Sequence, residues 1–166
     1  QSWKGKSMTR FGKLTAKSLD GFGCEAYGFS GTPADCANYG IYHVFDEKPD
    51  LVVSGINMGS NVGLSFMISS GTVGAGLEAN IAGIPAVALS QVLPSEAFHY
   101  WNDHRKLLPE LQARLFEQMR EMIGRVFGFL GTKAGWLQEP VTWNVNMPAM
   151  GTSGWDVKET TLGHTF

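Results

Sequence analysis

The residues best suited to chemistry in this chain are short polar side chains between positions 50 and 75. The apolar, β-branched residues 51–53 are typical of a buried strand, and a loop rich in Ser, Asn and Gly is predicted to follow them. The tripeptide Ser70-Gly71-Thr72 then leads into residues 73–82, which we predict to be a helix with Thr72 as its N-cap. The free N–H groups and the positive dipole end at such a helix start favour the binding of an anion.

The rest of the sequence alternates between strand and helix patterns, which would place these polar residues at one edge of a sheet. Strands are predicted at residues 14–19, 25–29, 51–53, 86–89 and 141–147, and helices at 32–45, 73–82 and 109–130. This order favours an α/β fold with a mostly parallel sheet, helices on both faces and three layers. In such folds the loops at the carboxyl ends of the strands form the ligand crevice.

The two flanking helices are predicted from different signals. Thr32 suits the N-cap of the first, Pro33 its first helical position and Asp35 its capping box, although Asp35 has a second interpretation as an active-site group. In the long helix, apolar residues recur at positions 111, 115, 119, 122 and 126, in steps of three and four. We assign that stripe to core packing rather than to a cofactor site.

Composition argues against several classes of function. The 166 residues are 43% hydrophobic and 17% charged, which suits one folded domain. A net charge of −2 provides no basic surface for nucleic acid, and no apolar run reaches the roughly 18 residues of a membrane span. Cys24 and Cys36 fit neither a disulfide framework nor a zinc-binding spacing, so we expect a cytoplasmic protein.

Several motifs in a fixed order resemble those of the SurE family of survival proteins. They are Gly31-Thr-Pro-Ala-Asp35-Cys36, Ser54-Gly-Ile-Asn57-Met-Gly59-Ser-Asn61-Val-Gly63, Ser70-Gly-Thr-Val-Gly-Ala75 and Gly83-Ile-Pro-Ala-Val-Ala-Leu-Ser90. The segment Asn144-Val-Asn-Met-Pro148 also resembles the family, so the likeness covers roughly residues 1–148. The resemblance implies a Rossmann-like fold, with residues 1–166 forming a single domain.

The resemblance implies a phosphomonoesterase that depends on a divalent metal and hydrolyses nucleoside 5′-monophosphates or other phosphate monoesters. Ser70, Gly71 and Thr72 match the family's phosphate-holding loop, and Asn61 joins them as a predicted phosphate-binding residue. Asn57, Ser70 and Thr72 form the predicted catalytic set. A small phosphorylated molecule is thus the expected partner, and the family also implies a homo-oligomer, either a dimer or a tetramer.

The implied metal site matches this sequence only in part. Asn57 and Ser2 match two neutral metal ligands of the family, which also uses a pair of adjacent aspartates. Carboxylate, amide and hydroxyl oxygens together suit Mg²⁺ or Mn²⁺, and such an ion can polarise a phosphoryl group. No Asp-Asp pair occurs anywhere in this chain. The first strand that would carry it, and most of the family's C-terminal extension, are expected to be missing.

These departures leave more than one interpretation open. We expect the sequence to be a piece of a longer chain, and a degenerate family member is the alternative. The leading function is the metal-dependent phosphatase. Its rivals are a catalytically inactive module that binds phosphate or nucleotide, and a structural domain of a larger polypeptide.

Overall fold

The structure is a computed structural model that describes residues 3–151 and 154–163. A small antiparallel pair of strands, β1 (Ala16–Ser18) and β2 (Tyr27–Phe29), lies apart from the main sheet. Helix α1 (Pro33–Tyr39) follows and continues into one π-helical segment, Gly40–Val44. The predicted strands and helix of this region are therefore present, although both strands are shorter than expected because their pairing covers only three residues each.

A parallel three-stranded sheet forms the centre of the fold. Its strands are β3 (Val52–Met58), β4 (Ala86–Gln91) and β5 (Thr142–Met147), in the spatial order β3-β4-β5. The helices that follow α1 are α2 (Leu64–Ser69), α3 (Gly71–Ile81), α4 (Ser95–His104) and α5 (Pro109–Gly131). Helix α3 connects β3 to β4, and α4 and α5 connect β4 to β5, as parallel pairing requires.

The sheet is covered by helices on both faces, which confirms the predicted α/β fold with three layers. On one face Val87 and Leu89 of β4 contact the apolar stripe of α5, represented by Met122, Val126 and Leu130. On the other face Ala86 belongs to a second cluster, with Ala79 of α3 and Ile41 of the π-helical segment. Because both faces of β4 are covered, all six of its residues are buried.

Strand β3 is longer than the sequence predicted, and the predicted polar loop begins only after it. The strand continues through Ser54 and Asn57, with a bulge between them where the register shifts against β4. Gly55 has a φ of +120°, and a Cβ there would lie 2.4 Å from the carbonyl oxygen of Leu89. Gly, Ser and Asn rarely favour strands, so the loop prediction was wrong because backbone pairing with β4 outweighs local preference.

Two helices were absent from the sequence prediction, and a third begins earlier than expected. Helix α2 lies in the segment predicted to continue the polar loop, and α4 lies between the strand predicted at 86–89 and the helix predicted at 109–130, where no element was predicted. Helix α3 begins at Gly71 rather than at Val73. Helix α2 is only six residues long, too short for an amphipathic period to be recognised.

The N-terminal loop, defined here as residues 3–9, is pressed against the start of α3. The N–H group of Gly5 donates to the carbonyl oxygen of Ser69 at 2.8 Å. Gly74 lies directly beneath this loop, because a Cβ built on Gly74 would come within 2.1 Å of the carbonyl oxygen of Gly5. Two glycines therefore allow the backbones of loop and helix to meet. Within the part of the chain that the structure describes, no helix is both long and apolar enough to cross a membrane.

Gly74→Ala should destabilise the fold even though alanine is the better helix former. Its Cβ would collide with the backbone of the N-terminal loop, and overpacking of this kind costs about 1–3 kcal/mol of unfolding free energy. Gly124→Ala in α5 is the matched control, because no atom lies within 4 Å of the added carbon. That control should gain up to about 1 kcal/mol. Urea denaturation measures both values, and equal stabilisation by the two changes would contradict the close contact.

Candidate functional site

The carboxyl ends of the three parallel strands and the start of α3 lie on the same side of the molecule. Near the C-terminal end of α3, Asn80 accepts a hydrogen bond of 2.5 Å from the hydroxyl of Thr142, the first residue of β5. Helix α3 therefore runs antiparallel to the strands, and its N-terminus points toward their carboxyl ends. This is the position at which open α/β sheets bind their ligands.

One row of polar residues crosses the sheet at this end. Asn57 of β3, Ser90 of β4 and Asn146 of β5 are direct register partners. Ser90 is fully buried, and its hydroxyl oxygen accepts hydrogen bonds from Nδ2 of Asn57 at 3.4 Å and from Nδ2 of Asn61 at 2.9 Å. The amide oxygen of Asn57 makes no hydrogen bond with any described residue, which leaves it available to a ligand.

Strand β5 holds the backbone of the loop that follows β3. Oδ1 of Asn146 accepts the N–H of Asn61 at 2.7 Å, and Nδ2 of Asn144 donates to the carbonyl oxygen of Asn61 at 2.9 Å. Asn61 is therefore fixed through its N–H, its carbonyl and its side chain. Only 6% of its surface is exposed. The structure thus brings the predicted residues Asn57 and Asn61 together and fixes both.

The start of α3 is capped by Ser70, so the prediction that Thr72 is the N-cap was wrong. The hydroxyl oxygen of Ser70 accepts the N–H of Val73 at 3.2 Å. Thr72 is instead half-buried in the first turn, two residues after the cap, where its backbone is helical rather than extended. The N–H groups of Gly71 and Thr72 and the Thr72 hydroxyl have no partner among the residues described here. Unpaired donors of this kind at a helix start are suited to receive an anion.

An ion pair between a half-buried lysine and a buried glutamate attaches the N-terminal loop to the same helix. Nζ of Lys6 lies 2.5 Å from Oε2 of Glu78, whose carboxylate also accepts a hydrogen bond of 2.8 Å from Nδ2 of Asn38. Glu78 is only 6% exposed, and a buried carboxylate requires such partners. Together with the contact between Gly5 and Ser69, these bonds hold the loop beside Ser70.

The capping-box interpretation of Asp35 is confirmed. The capping box is formed: Thr32 N–H donates to Oδ2 at 2.8 Å, and Asp35 N–H donates to the Thr32 hydroxyl oxygen at 3.1 Å. The same carboxylate accepts the N–H of Thr9 at 3.0 Å and its hydroxyl at 2.6 Å. Burial raises the pKa of this carboxyl, but these hydrogen bonds outweigh burial and hold the pKa of Asp35 below its usual 3.8.

The residues described here do not form a complete site for a divalent cation. Ser2, one of the two predicted ligands, lies outside the described residues. Asn57 contributes one free amide oxygen, and no group of three or more His, Cys, Asp or Glu side chains within the described ranges could hold a metal ion. The oxygens of Asp35 are already occupied by Thr9 and Thr32. Neutral oxygens alone do not suit Mg²⁺ or Mn²⁺, which prefer carboxylates.

Some residues of this site were not in the predicted set. Ser90 and the pair Asn144 and Asn146 lay within recognised motifs, and a polar residue at the carboxyl end of an apolar strand is a signal that could have identified them. Lys6 and Glu78 carried no comparable signal. They are 72 positions apart in sequence, and only the packing of the N-terminal loop on α3 brings them together.

Comparison with known proteins relates this arrangement to a family. The family described as "Survival protein SurE" matches residues 1–165. The chain belongs to the SurE family. A 5′-nucleotidase SurE from Methanothermobacter thermautotrophicus is 36% identical over 167 residues, which cover 98% of this chain and 59% of that protein. A 5′-nucleotidase SurE from Methanopyrus kandleri is 37% identical over 144 residues, which cover 87% and 54%.

A solved SurE structure has the same fold. The crystal structure of the SurE protein from Aquifex aeolicus matches with a TM-score of 0.65 and 29% identity, over 88% of this chain and 50% of that one. This chain thus spans between half and three fifths of the length of these SurE relatives. The SurE-like motifs noted in the sequence lie at the start of α1, along β3 and its loop, at the start of α3 and along β4.

Removal of the side-chain hydroxyl should lower the unfolding free energy at Ser70 but hardly change it at Thr72. Ser70→Ala removes the cap and should lower the unfolding free energy by about 1 kcal/mol. Thr72→Val keeps the shape of the side chain and breaks no hydrogen bond in the described structure, so its effect should stay within about 0.5 kcal/mol. Thermal or urea unfolding measures both, and a larger loss for Thr72→Val would contradict the assignment of the cap.

Asp35→Asn should destabilise the protein in a pH-dependent way. Because the pKa of Asp35 is lowered in the folded state, its ionised form stabilises the fold above the unfolded pKa, and this stabilisation is lost as the pH falls through the folded pKa. We expect Asp35→Asn to cost about 1–3 kcal/mol at pH 7 and progressively less below a pH of about 4. Asp103→Asn, at an exposed position of α4, changes the same charge and should show no such difference. A cost independent of pH would refute the role of the carboxylate.

Proposed function

We propose that this chain is the phosphate-binding part of an enzyme that hydrolyses nucleoside 5′-monophosphates. The observation that carries the proposal is the start of α3, where the N–H groups of Gly71 and Thr72 and the hydroxyl of Thr72 are free to donate. Relatives that match most of this chain are named 5′-nucleotidase SurE, which supports a phosphate monoester as the ligand.

The roles of the site residues follow from their positions. Gly71 and Thr72 would donate to the phosphoryl oxygens, and the dipole of α3 would stabilise the negative charge that grows on them during transfer. The hydroxyl proton of Ser70 remains available, because its oxygen accepts the N–H of Val73. Asn61 would act chiefly by shape, since its hydrogen bonds are already used in holding the loop after β3.

The proposal includes Mg²⁺ or Mn²⁺ only as an ion that residues of this chain would hold together with carboxylates from elsewhere. Asn57 would supply its free amide oxygen, and Ser2 is proposed as a second neutral ligand. The carboxylates would have to come from outside these 166 residues, because the described residues provide no acidic cluster. The same absence favours a second candidate function, a module that binds phosphate or nucleotide without hydrolysing it.

The wider biological setting is also part of the proposal. Cys24 and Cys36 are unpaired and exposed, as expected in the reducing cytoplasm, where we place the protein. Assembly into a dimer or tetramer, and a lack of interaction with nucleic acid, are further predictions from the sequence. Sedimentation of the purified protein measures the first of these directly.

The 166-residue chain should bind inorganic phosphate and release none from adenosine 5′-monophosphate, even with added Mn²⁺. A polypeptide that supplies the missing carboxylates to the same domain should hydrolyse this substrate. Isothermal titration measures the binding and a phosphate-release assay measures the hydrolysis. Full activity of the 166 residues alone would disprove the shared metal site, and binding without hydrolysis in both polypeptides would identify the non-catalytic module.

Two substitutions separate the proposed roles within the active polypeptide. Thr72→Val removes a hydroxyl that bonds to a charged ligand and should weaken phosphate binding by roughly tenfold or more. Asn57→Ala should lower the rate of hydrolysis by about tenfold or more, as the loss of a metal-orienting ligand does. Asn102→Ala, at an exposed position of α4, should change neither quantity. Unaltered phosphate affinity of Thr72→Val would remove the start of α3 from the site.

A further inference from the structure

Two aromatic side chains stand exposed beside the proposed phosphate site. Trp3 in the N-terminal loop is 71% exposed and Phe66 in α2 is 46% exposed. Their ring centroids are 5.6 Å apart and their planes are inclined at 46°. In this arrangement Phe66 supports the indole of Trp3 from one side, while most of the indole surface stays open to a flat ligand.

The position of this aromatic pair is fixed relative to the start of α3. Phe66 lies four residues before the cap residue Ser70, which is about one helical turn or 5.4 Å along the axis. On the other side, Gly5 lies two residues after Trp3, and its N–H donates to the carbonyl oxygen of Ser69 at 2.8 Å. Both aromatic rings therefore belong to segments that are attached directly to the proposed phosphate site.

The backbone at Trp3 is also unusual. Its φ is +62°, a left-handed conformation that bulky residues seldom adopt. The residues that follow hold this conformation, because Gly5 is bonded to Ser69 and Lys6 is paired with Glu78. The N-terminal loop thus maintains an exposed tryptophan at a fixed position, at the cost of a rare backbone geometry.

We propose that Trp3 and Phe66 form a stacking platform for the base of a nucleoside 5′-monophosphate whose phosphate lies at the start of α3. This inference rests on the proposed function and deepens it by naming what selects a nucleotide over other phosphate monoesters. A purine or pyrimidine ring stacks on an aromatic side chain through its π-face, which every base offers. The platform therefore predicts a preference for nucleotides with little discrimination among the bases.

The test compares two ligands that share a phosphate and a ribose but differ in the base. Adenosine 5′-monophosphate and ribose 5-phosphate are titrated into the full chain by calorimetry, with inorganic phosphate as a third ligand. The wild-type protein should bind the nucleotide more tightly than the sugar phosphate. Trp3→Ala should raise the Kd of the nucleotide by about five- to hundredfold, as expected for the loss of one base–aromatic stack, and leave the other two Kd values unchanged.

Matched variants separate stacking from a general disturbance of the loop. Trp3→Phe keeps an aromatic face and should restore most of the nucleotide affinity, and Phe66→Ala should cause a smaller loss of the same kind. Phe116→Ala, which removes a 50% exposed phenylalanine from α5, should leave all three affinities unchanged.

Four outcomes would overturn the platform, and each has a different meaning. Equal weakening of all three ligands by Trp3→Ala would mean that the loop shapes the phosphate site without contacting the base. A change in sedimentation with unaltered affinities would mean that the two rings form a contact between copies of the chain. Wild-type protein that binds phosphate and sugar phosphate as tightly as the nucleotide would refute the platform alone, whereas no binding of any ligand would refute the proposed function as well.

Discussion

The parallel pairing of β4 with both of its neighbours determines where the polar residues of this protein lie. It aligns Asn57, Ser90 and Asn146 in one row across the sheet, at the end toward which α3 points. A shift of β4 by one residue would turn Ser90 into the core on the α5 side and leave Asn57 and Asn61 without their shared acceptor. The apolar contacts of Val87 and Leu89 with α5 oppose such a shift, because it would turn both side chains away from α5 toward the opposite face of the sheet.

Small residues allow the parts of the site to approach one another. Gly55 brings β3 close to the backbone of β4 at the bulge, and Gly74 brings α3 close to the N-terminal loop. At both positions an added methyl group would meet a carbonyl oxygen rather than a flexible side chain, so the backbone itself would have to move. Glycine in this chain therefore permits close contact between backbones as well as tight turns.

Hydrogen bonding explains why the polar loops beside the sheet hold their places. Asn61 is bonded through both backbone groups and its side chain, and Asp35 binds Thr9 as well as closing its own capping box. The ion pair of Lys6 and Glu78 adds a third attachment. Removal of Lys6 would be costly because it would take the charged partner from the buried carboxylate of Glu78. These bonds hold the loops around the start of α3 at fixed positions, which the proposed binding of a phosphate there would require.

The sequence by itself determined the features that depend on local chemistry. The α/β class, the capping box of α1, the buried stripe of α5 and the concentration of polar residues along and after β3 all follow from periodicity and from residue types at fixed spacings. It could not determine the full length of β3, because backbone pairing with β4 makes a strand of residues that favour a loop. It also misplaced the cap of α3, since Ser70 and Thr72 are equally suited in type and only the helix geometry selects Ser70.

The tertiary structure alone decided which distant residues meet. Lys6 with Glu78, Thr9 with Asp35, Asn61 with Asn146 and Trp3 with Phe66 are separated by 26 to 85 positions in sequence. No local pattern specifies such pairs, because each depends on how helices and loops pack around a sheet whose strand order is itself a property of the whole chain. The sequence therefore indicated which polar residues belong to the candidate site, such as Asn57 and Ser70, whereas packing decided how those residues are arranged.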